Sequence, residues 1–383
     1  MSIQIPSGDR SWVIRRTLSF DSATHTFGRR DVEIAGKRIR AVLPAGTSTL
    51  ADGVDGEPFV CTPGIVGVEA LRDDPVPSGV ESLPSCMTTV GVYWANTRDT
   101  RRWLATSART VALLKFDGSN LEQVNGLLDW SLTAARGRAG VCAASDRAPA
   151  RPINVLPVLA SGRLMSATEI VEVARLAKIL GTRIGIRLST TADEALEFRS
   201  RFYCSEIALI AYLLPQEQAV TIFDAARIDR REASVLARTL CTVSFGEPDA
   251  DGFAGRWRNH APLFMQRRAA LHVSRESVRP LLTRVVKDAP AAQLDCYADA
   301  LTRSAAGALG LTDVGALAPG MKADLCMFER DDPHAADYST GSAAFLSLLA
   351  SRSPVLTLVE GRPMPAGLHA GTVDRPLLAS GWA

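Results

Sequence analysis

Short apolar runs recur through the middle of the chain. They are Val60–Val66, Met87–Val92, Thr110–Lys115, Ile153–Leu159, Arg183–Leu188, Ala219–Asp224, Leu240–Phe245 and Ala269–Val273. Each has strand length, and each is too continuously apolar for a strand with one wet face. Helical patterns lie between several of them. The clearest spans Ser166–Gly181: Ser166 and Glu169 have the spacing of a capping box, apolar residues recur at 170, 173, 174, 177 and 180, and Gly181 falls at the C-terminal cap. A second helix is expected from Asp229, with Glu232 three residues on. Strands buried on both faces and alternating with helices imply a parallel sheet. About eight such units over about 250 residues fit an α/β protein with a (β/α)8 TIM-like barrel. A doubly wound open sheet is the alternative. The chain has no GxGxxG and no GxxxxGK[ST], so neither a Rossmann nor a P-loop reading has support.

Both ends of the chain look different from the middle. Trp12–Arg16, Asp31–Ile34 and Ile39–Leu43 are β-rich, with a turn at Ala35-Gly36-Lys37. Ala323–Phe328, Val355–Val359 and Arg362–Met364 match them, with a turn at Glu360-Gly361. One small β-sandwich built from residues 1–60 and 320–383 is therefore expected, with residues 61–319 forming the barrel.

Composition narrows the function classes. Net charge is +2 and the basic residues are dispersed, which speaks against nucleic acid or anionic membrane as partner. No apolar run reaches the ~20 residues of a membrane span. The N-terminal residues lack a signal pattern. Seven cysteines, odd in number and never in CxxC, are expected to be reduced and mostly buried in a cytoplasmic protein. The expected partner is a small-molecule substrate, and a homodimer is compatible with the chain.

The motifs along the chain resemble those of the amidohydrolase superfamily, in its cytosine-deaminase and chlorohydrolase-like branch. Asp31–Pro44 (DVEIAGKRIRAVLP) resembles that family's opening strands, and Cys61–Leu71 (CTPGIVGVEAL) its first barrel strand, usually Pro-Gly-x-Val-x-x-His-x-His. Met87–Val92 resembles its second strand, and Arg183–Phe198 and Thr221–Ala237 its fifth and sixth strands with their helices. Ala269–Ser277 resembles the eighth strand. Ala300–Phe328 is the most specific piece. It resembles the closing helix, the Gly-x-Leu-x-Pro-Gly-x-x-Ala-Asp turn and the return strand.

The resemblance implies metal-assisted hydrolysis, with a Zn²⁺ or Fe²⁺ activating water. This chain departs from the pattern at each metal position: Glu69, Leu71, Arg187, Asp224 and Ser274 stand where ligands are usual. Its five histidines, at 25, 260, 272, 334 and 369, are never paired at HxH, HxxxH or HExxH spacing. No metal and no cofactor are therefore expected.

Residues at C-terminal strand ends face the site of a barrel. Glu69, Asp224 and His272 are the candidate catalytic groups. Glu69 otherwise reads as a solvated loop acid, Asp224 as the cap of a turn, and His272 as a structural strand histidine. Arg187, Ser274, Lys115, Trp94 and His260 are the candidate substrate-binding groups. For Arg187 the competing reading is an ion pair with Asp224 or Glu69. His260, in the polar stretch 246–262, is expected as a loop residue able to close over the site. Lys115 and Trp94 end strands, where packing is the competing role.

Acids, a histidine and an arginine at one mouth suffice for acid–base chemistry without activated water. The first expectation is a metal-independent lyase or cyclase, dehydrating or closing the ring of a small cationic guanidino or amidino compound, since a carboxylate takes two parallel N–H bonds from such a group. The alternatives are an inactive binding protein that kept the fold, and a metal-dependent C–N hydrolase whose ligands lie elsewhere.

Overall fold

The structure is a computed structural model; it describes residues 11–69, 86–94, 109–116, 154–159, 166–189, 191–214, 217–245, 252–271, 273, 278–330 and 338–364. Strands β1 (Trp12–Asp21), β2 (Thr26–Ala35), β3 (Arg38–Pro44), β4 (Gly53–Asp55) and β5 (Phe59–Pro63) open the chain. Strands β6 (Ile65–Glu69), β7 (Met87–Trp94), β8 (Arg109–Phe116), β9 (Asn154–Leu159), β10 (Ile184–Arg187), β11 (Val220–Phe223), β12 (Cys241–Phe245) and β13 (Ala269–Leu271) follow. Strands β14 (Leu325–Glu329), β15 (Leu356–Val359) and β16 (Arg362–Pro363) come last.

Strands from both ends of the chain lie in one sheet, ordered β16-β15-β14-β5-β1-β2-β3, with β4 beside β1. The sheet curls. An isolated bridge pairs Arg38 with Lys322, and the turn glycine Gly361 packs against the carbonyl of Gly36. The curl encloses a core of Trp12, Ile14, Val32, Ile34, Phe59, Leu325, Met327 and Leu358.

The second sheet is parallel, its eight strands in chain order from β6 to β13. Both faces are buried, as the continuous apolar runs require. Ile184, Ile186, Ile222 and Val243 pack with helical Ile170, Val173, Ile207 and Ile210. On the other face Val66, Val68, Val111, Leu113, Leu156, Val158, Phe223 and Ala270 form a cluster that takes in Ala305, Ala306, Ala308 and Leu309. Val68 N donates to the carbonyl of Val273, just beyond β13, at 3.2 Å.

Val60–Val66, read from sequence as one strand, is two. The chain changes sheets at Gly64, whose N–H goes to the Asp324 carbonyl while Ile65 N goes to that of Cys86. Only glycine fits there: a Cβ would lie 2.1 Å from the Thr88 side chain. The preceding Pro63 already lacks a ladder donor.

The helix Ala167–Leu180 has both bonds of its capping box, Glu169 N to Ser166 Oγ at 3.2 Å and Ser166 N to Glu169 Oε2 at 2.7 Å, and ends on left-handed Gly181. Asp229 and Glu232 cap the helix Arg230–Leu236 in the same way. The polar stretch 246–262 is corrected. From Gly252 it is helix, running to Met265, and Pro262 inside it obscures the pattern. Of the cysteines described, Cys61, Cys86, Cys241 and Cys326 are buried, Cys204 and Cys296 are partly so, and all six are free thiols.

A buried ion cluster joins the two sheets. Arg109, at the start of β8, donates twice to Asp324 and once to Glu360, the latter at 3.2 Å. Lys322 Nζ reaches Glu360 Oε1 at 3.0 Å. Asp324 is the acid that ends the Gly-x-Leu-x-Pro-Gly-x-x-Ala-Asp turn, so that motif serves the joint between sheets. Burial pushes the Asp324 carboxyl up, against the pull of Arg109. Burial acts on Glu360 in the same sense, yet Lys322, Arg109 and Lys37 together hold it down to about 2.

Candidate functional site

In a parallel sheet all strand C-termini point one way, and side chains there escape the packed middle. Glu69 ends β6 in register with Val92, and Trp94 ends β7 in register with Leu114. Lys115 on β8 pairs with Val158, and Arg187 ends β10 opposite Phe223. The backbone therefore brings four of the sequence candidates to one edge of the sheet, and Asp224 follows Phe223 directly. His272 and Ser274 lie outside the described residues, as does Leu71.

Arg187 and Asp224 meet. Arg187 Nε donates to Asp224 Oδ2 at 2.5 Å, with the two side chains 26% and 29% exposed. Alternation along β10 explains the direction of Arg187. Ile184 and Ile186 face the helices, while Gly185 faces Leu156, Val158 and Phe223, and Arg187 shares its side. Asp224 has left-handed backbone, φ 57° and ψ 40°, at the entry to the short 3-10 turn Ala225–Arg227. Its side chain makes no capping bond there, so the capping role read from sequence is absent and the carboxylate is turned to Arg187 instead.

Next to this pair is a unit that sequence reasoning missed. Ser189, two residues beyond Arg187, gives its N–H and its hydroxyl to the Glu206 carboxylate at 3.1 and 3.0 Å. Burial pushes the Glu206 carboxyl up although both Ser189 donors oppose it. Glu206 is the first residue of the helix Glu206–Leu213, capped by Ser205. A Ser-Glu step opening an apolar run was the available signal. The contact with Ser189 is remote in sequence and was not.

His260 lies inside the helix, not in a loop. Its ring is buried against Phe245, with centroids 4.6 Å apart, and Nε2 is 2.8 Å from the carbonyl of Ile228. A histidine fixed in this way orders the turn after β11, three residues beyond the Asp224–Ala225 step, instead of swinging over the site.

The strand ends can hold an anion or a polar group at Arg187 and present a carboxylate at Asp224. They do not fit a zinc ion. Among the described residues no three histidine, cysteine or acidic side chains converge as metal ligands. The Asp224 carboxylate is already matched by a guanidinium, and a dication placed beside it would meet the charge of Arg187.

No family model and no curated protein matches the chain by sequence. Solved structures do match in shape. A triazine hydrolase variant superposes with a TM-score of 0.69 at 14% identity, over 92% of this chain and 94% of that one. Aminofutalosine deaminase from Helicobacter pylori gives 0.68 at 13%, over 93% of this chain and 100% of that one. Atrazine chlorohydrolase from Arthrobacter aurescens TC1, solved with zinc, gives 0.66 at 14%, over 92% and 94%. Over nearly its whole length the chain thus carries the fold of these hydrolases and this deaminase, and the resemblance to the amidohydrolase superfamily read from its motifs holds at the level of the fold.

Proposed function

We propose that the protein is a hydrolase of a small nitrogen-rich compound, cleaving a bond between carbon and nitrogen or another heteroatom at the C-terminal ends of the parallel strands. The full-length match in fold to a triazine hydrolase, an atrazine chlorohydrolase and a deaminase carries this reading. In it the eight strands close as a (β/α)8 barrel, which the bond from Val68 to Val273 supports. Arg187 binds an electron-rich oxygen or leaving group, and Asp224 takes a proton from water or holds an amino group of the substrate. Glu69, Trp94 and Lys115 share the same edge as further binding groups, with His272 and Ser274 placed beside them by sequence.

A second reading is kept because one observation favours it. The Arg187–Asp224 ion pair stands where the resemblance places two metal-binding histidines, and the described donors do not suit a dication. A lyase or cyclase acting on a guanidino or amidino compound uses the same acid and needs no activated water.

One experiment separates them. The purified protein is incubated in heavy-oxygen water with a panel of amino- and chloro-substituted triazines, aminopurines and small guanidino aldehydes. A hydrolase yields a product carrying the label. A cyclodehydratase yields a product lighter by one water and unlabelled. Absence of turnover across the panel by a folded protein would point instead to a binding protein on this scaffold.

A further inference from the structure

The opposite edge of the parallel sheet carries two arginines, Arg183 and Arg268. Arg183 stands two residues before Gly185, and Arg268 two residues before Ala270, both on the face lined by Val158, Phe223 and Ala270. Both arginines are thus at the N-terminal ends of the strands, away from Arg187 and Asp224.

Among the described residues Arg183 is held by neutral acceptors alone. Its Nε donates to Thr221 Oγ1 at 3.0 Å, and its Nη2 to the carbonyls of Val220 and Leu240 and to Thr242 Oγ1, at 2.6, 3.1 and 2.9 Å. Its Nη1 bonds to no described residue. Arg268 approaches from the next strand: its carbonyl accepts from Val243 N at 2.7 Å, one residue on from Thr242. Arg268 Nη1 is buried with no hydrogen-bond partner. No carboxylate among the described residues forms an ion pair with either arginine. Cys241 lies close enough to feel both arginines, and burial pushes its thiol up in spite of them. Burial, with Arg268 adding its repulsion, brings the Arg183 guanidinium down to about 10.

Among the described residues no counter-charge meets these two half-buried arginines, and arginine's planar donors match a carboxylate or phosphate. We propose that this edge of the sheet is an anion site, binding one small oxyanion between Arg183 Nη1 and Arg268 Nη1. The Thr221 and Thr242 hydroxyls, already bonded to Arg183, fix the guanidinium that receives it. Bound there, the anion ties β10 to β13 across the two strands between them and stabilises the sheet at the end remote from the candidate site.

Titration calorimetry with inorganic phosphate, and separately with acetate, at constant ionic strength tests this on the full chain. Saturable binding of one anion per chain is expected, with a melting temperature that climbs as the anion exceeds its dissociation constant. Stronger binding of phosphate marks a phosphate site, and stronger binding of acetate a carboxylate site. Arg268→Gln should weaken binding by about tenfold or more, and Arg268→Lys, which keeps the charge and loses the fork, by less. Arg187→Gln, at the other edge, should bind as the unaltered protein does. No binding of either anion by the unaltered protein overturns the proposal. So does unchanged affinity in Arg268→Gln, or, if that variant does not fold, unchanged affinity in Arg268→Lys. Loss of binding in Arg187→Gln would move the anion to the other edge and equally overturn it.

Discussion

Arg187 closes β10, Asp224 follows β11, and Arg187 Nε lies 2.5 Å from Asp224 Oδ2. The contact spans adjacent strands at the edge of the sheet where catalytic groups of parallel α/β proteins are found. It is partly open to solvent, so its energetic weight in folding is small. Its position is its interest.

A double-mutant cycle of Arg187→Gln and Asp224→Asn should give a coupling energy in unfolding of about 0.5–1 kcal/mol, because both side chains keep access to water. Turnover of the true substrate should fall by about 100-fold or more in each single variant. A coupling of several kcal/mol with turnover unaffected would make the pair structural.

The left-handed backbone of Asp224 predicts an order of stabilities. Asp224→Gly relieves the strain and Asp224→Ala keeps it, so the glycine variant should be the more stable of the two by about 1 kcal/mol in denaturant unfolding. Equal stabilities would mean that the chain relaxes out of the φ of 57°.

Arg109 is the cation that faces both Asp324 and Glu360 at the joint between sheets. Arg109→Ala should cost about 3–5 kcal/mol, since it leaves the buried Asp324 carboxylate without its ion-pair partner while Glu360 keeps Lys322. A change under about 1 kcal/mol, measured by equilibrium unfolding, would show that Lys322 and water replace it.

The same joint sets a pH dependence. Glu360 is held at about 2 in the folded protein against an ordinary 4.5. Its contribution is therefore present above pH 4.5 and is lost as pH falls toward 2. Asp324, pushed up by burial, works in the opposite sense and offsets part of this. Glu360→Gln should be less stable than the unaltered protein at neutral pH and should lose less stability between pH 4.5 and 2. Parallel pH curves for the two proteins would rule this out.

What the sequence disclosed followed from the range of each interaction. Ser166, Glu169 and Gly181 bond within their own turn or cap, so their helix was legible. The strands of the parallel sheet were legible because burial on both faces leaves continuous apolar runs. The break at Gly64 was not, because it depends on Asp324 and Thr88, distant in sequence. Ser189 and Glu206 were missed for the same reason. His260 was misplaced because Pro262 and polar neighbours hide a helix whose buried side is made by His260, Leu263 and Phe264. The Arg187–Asp224 contact stood among the expectations because motif resemblance put both residues at strand ends.

The most direct test of a hydrolase centred on these strand ends is the fate of solvent oxygen. With a turned-over substrate in heavy-oxygen water, the product is expected to carry the label, and Asp224→Asn to lower the rate of labelling by about 100-fold or more. An unlabelled product formed with loss of water, or labelling at full rate in Asp224→Asn, would contradict it.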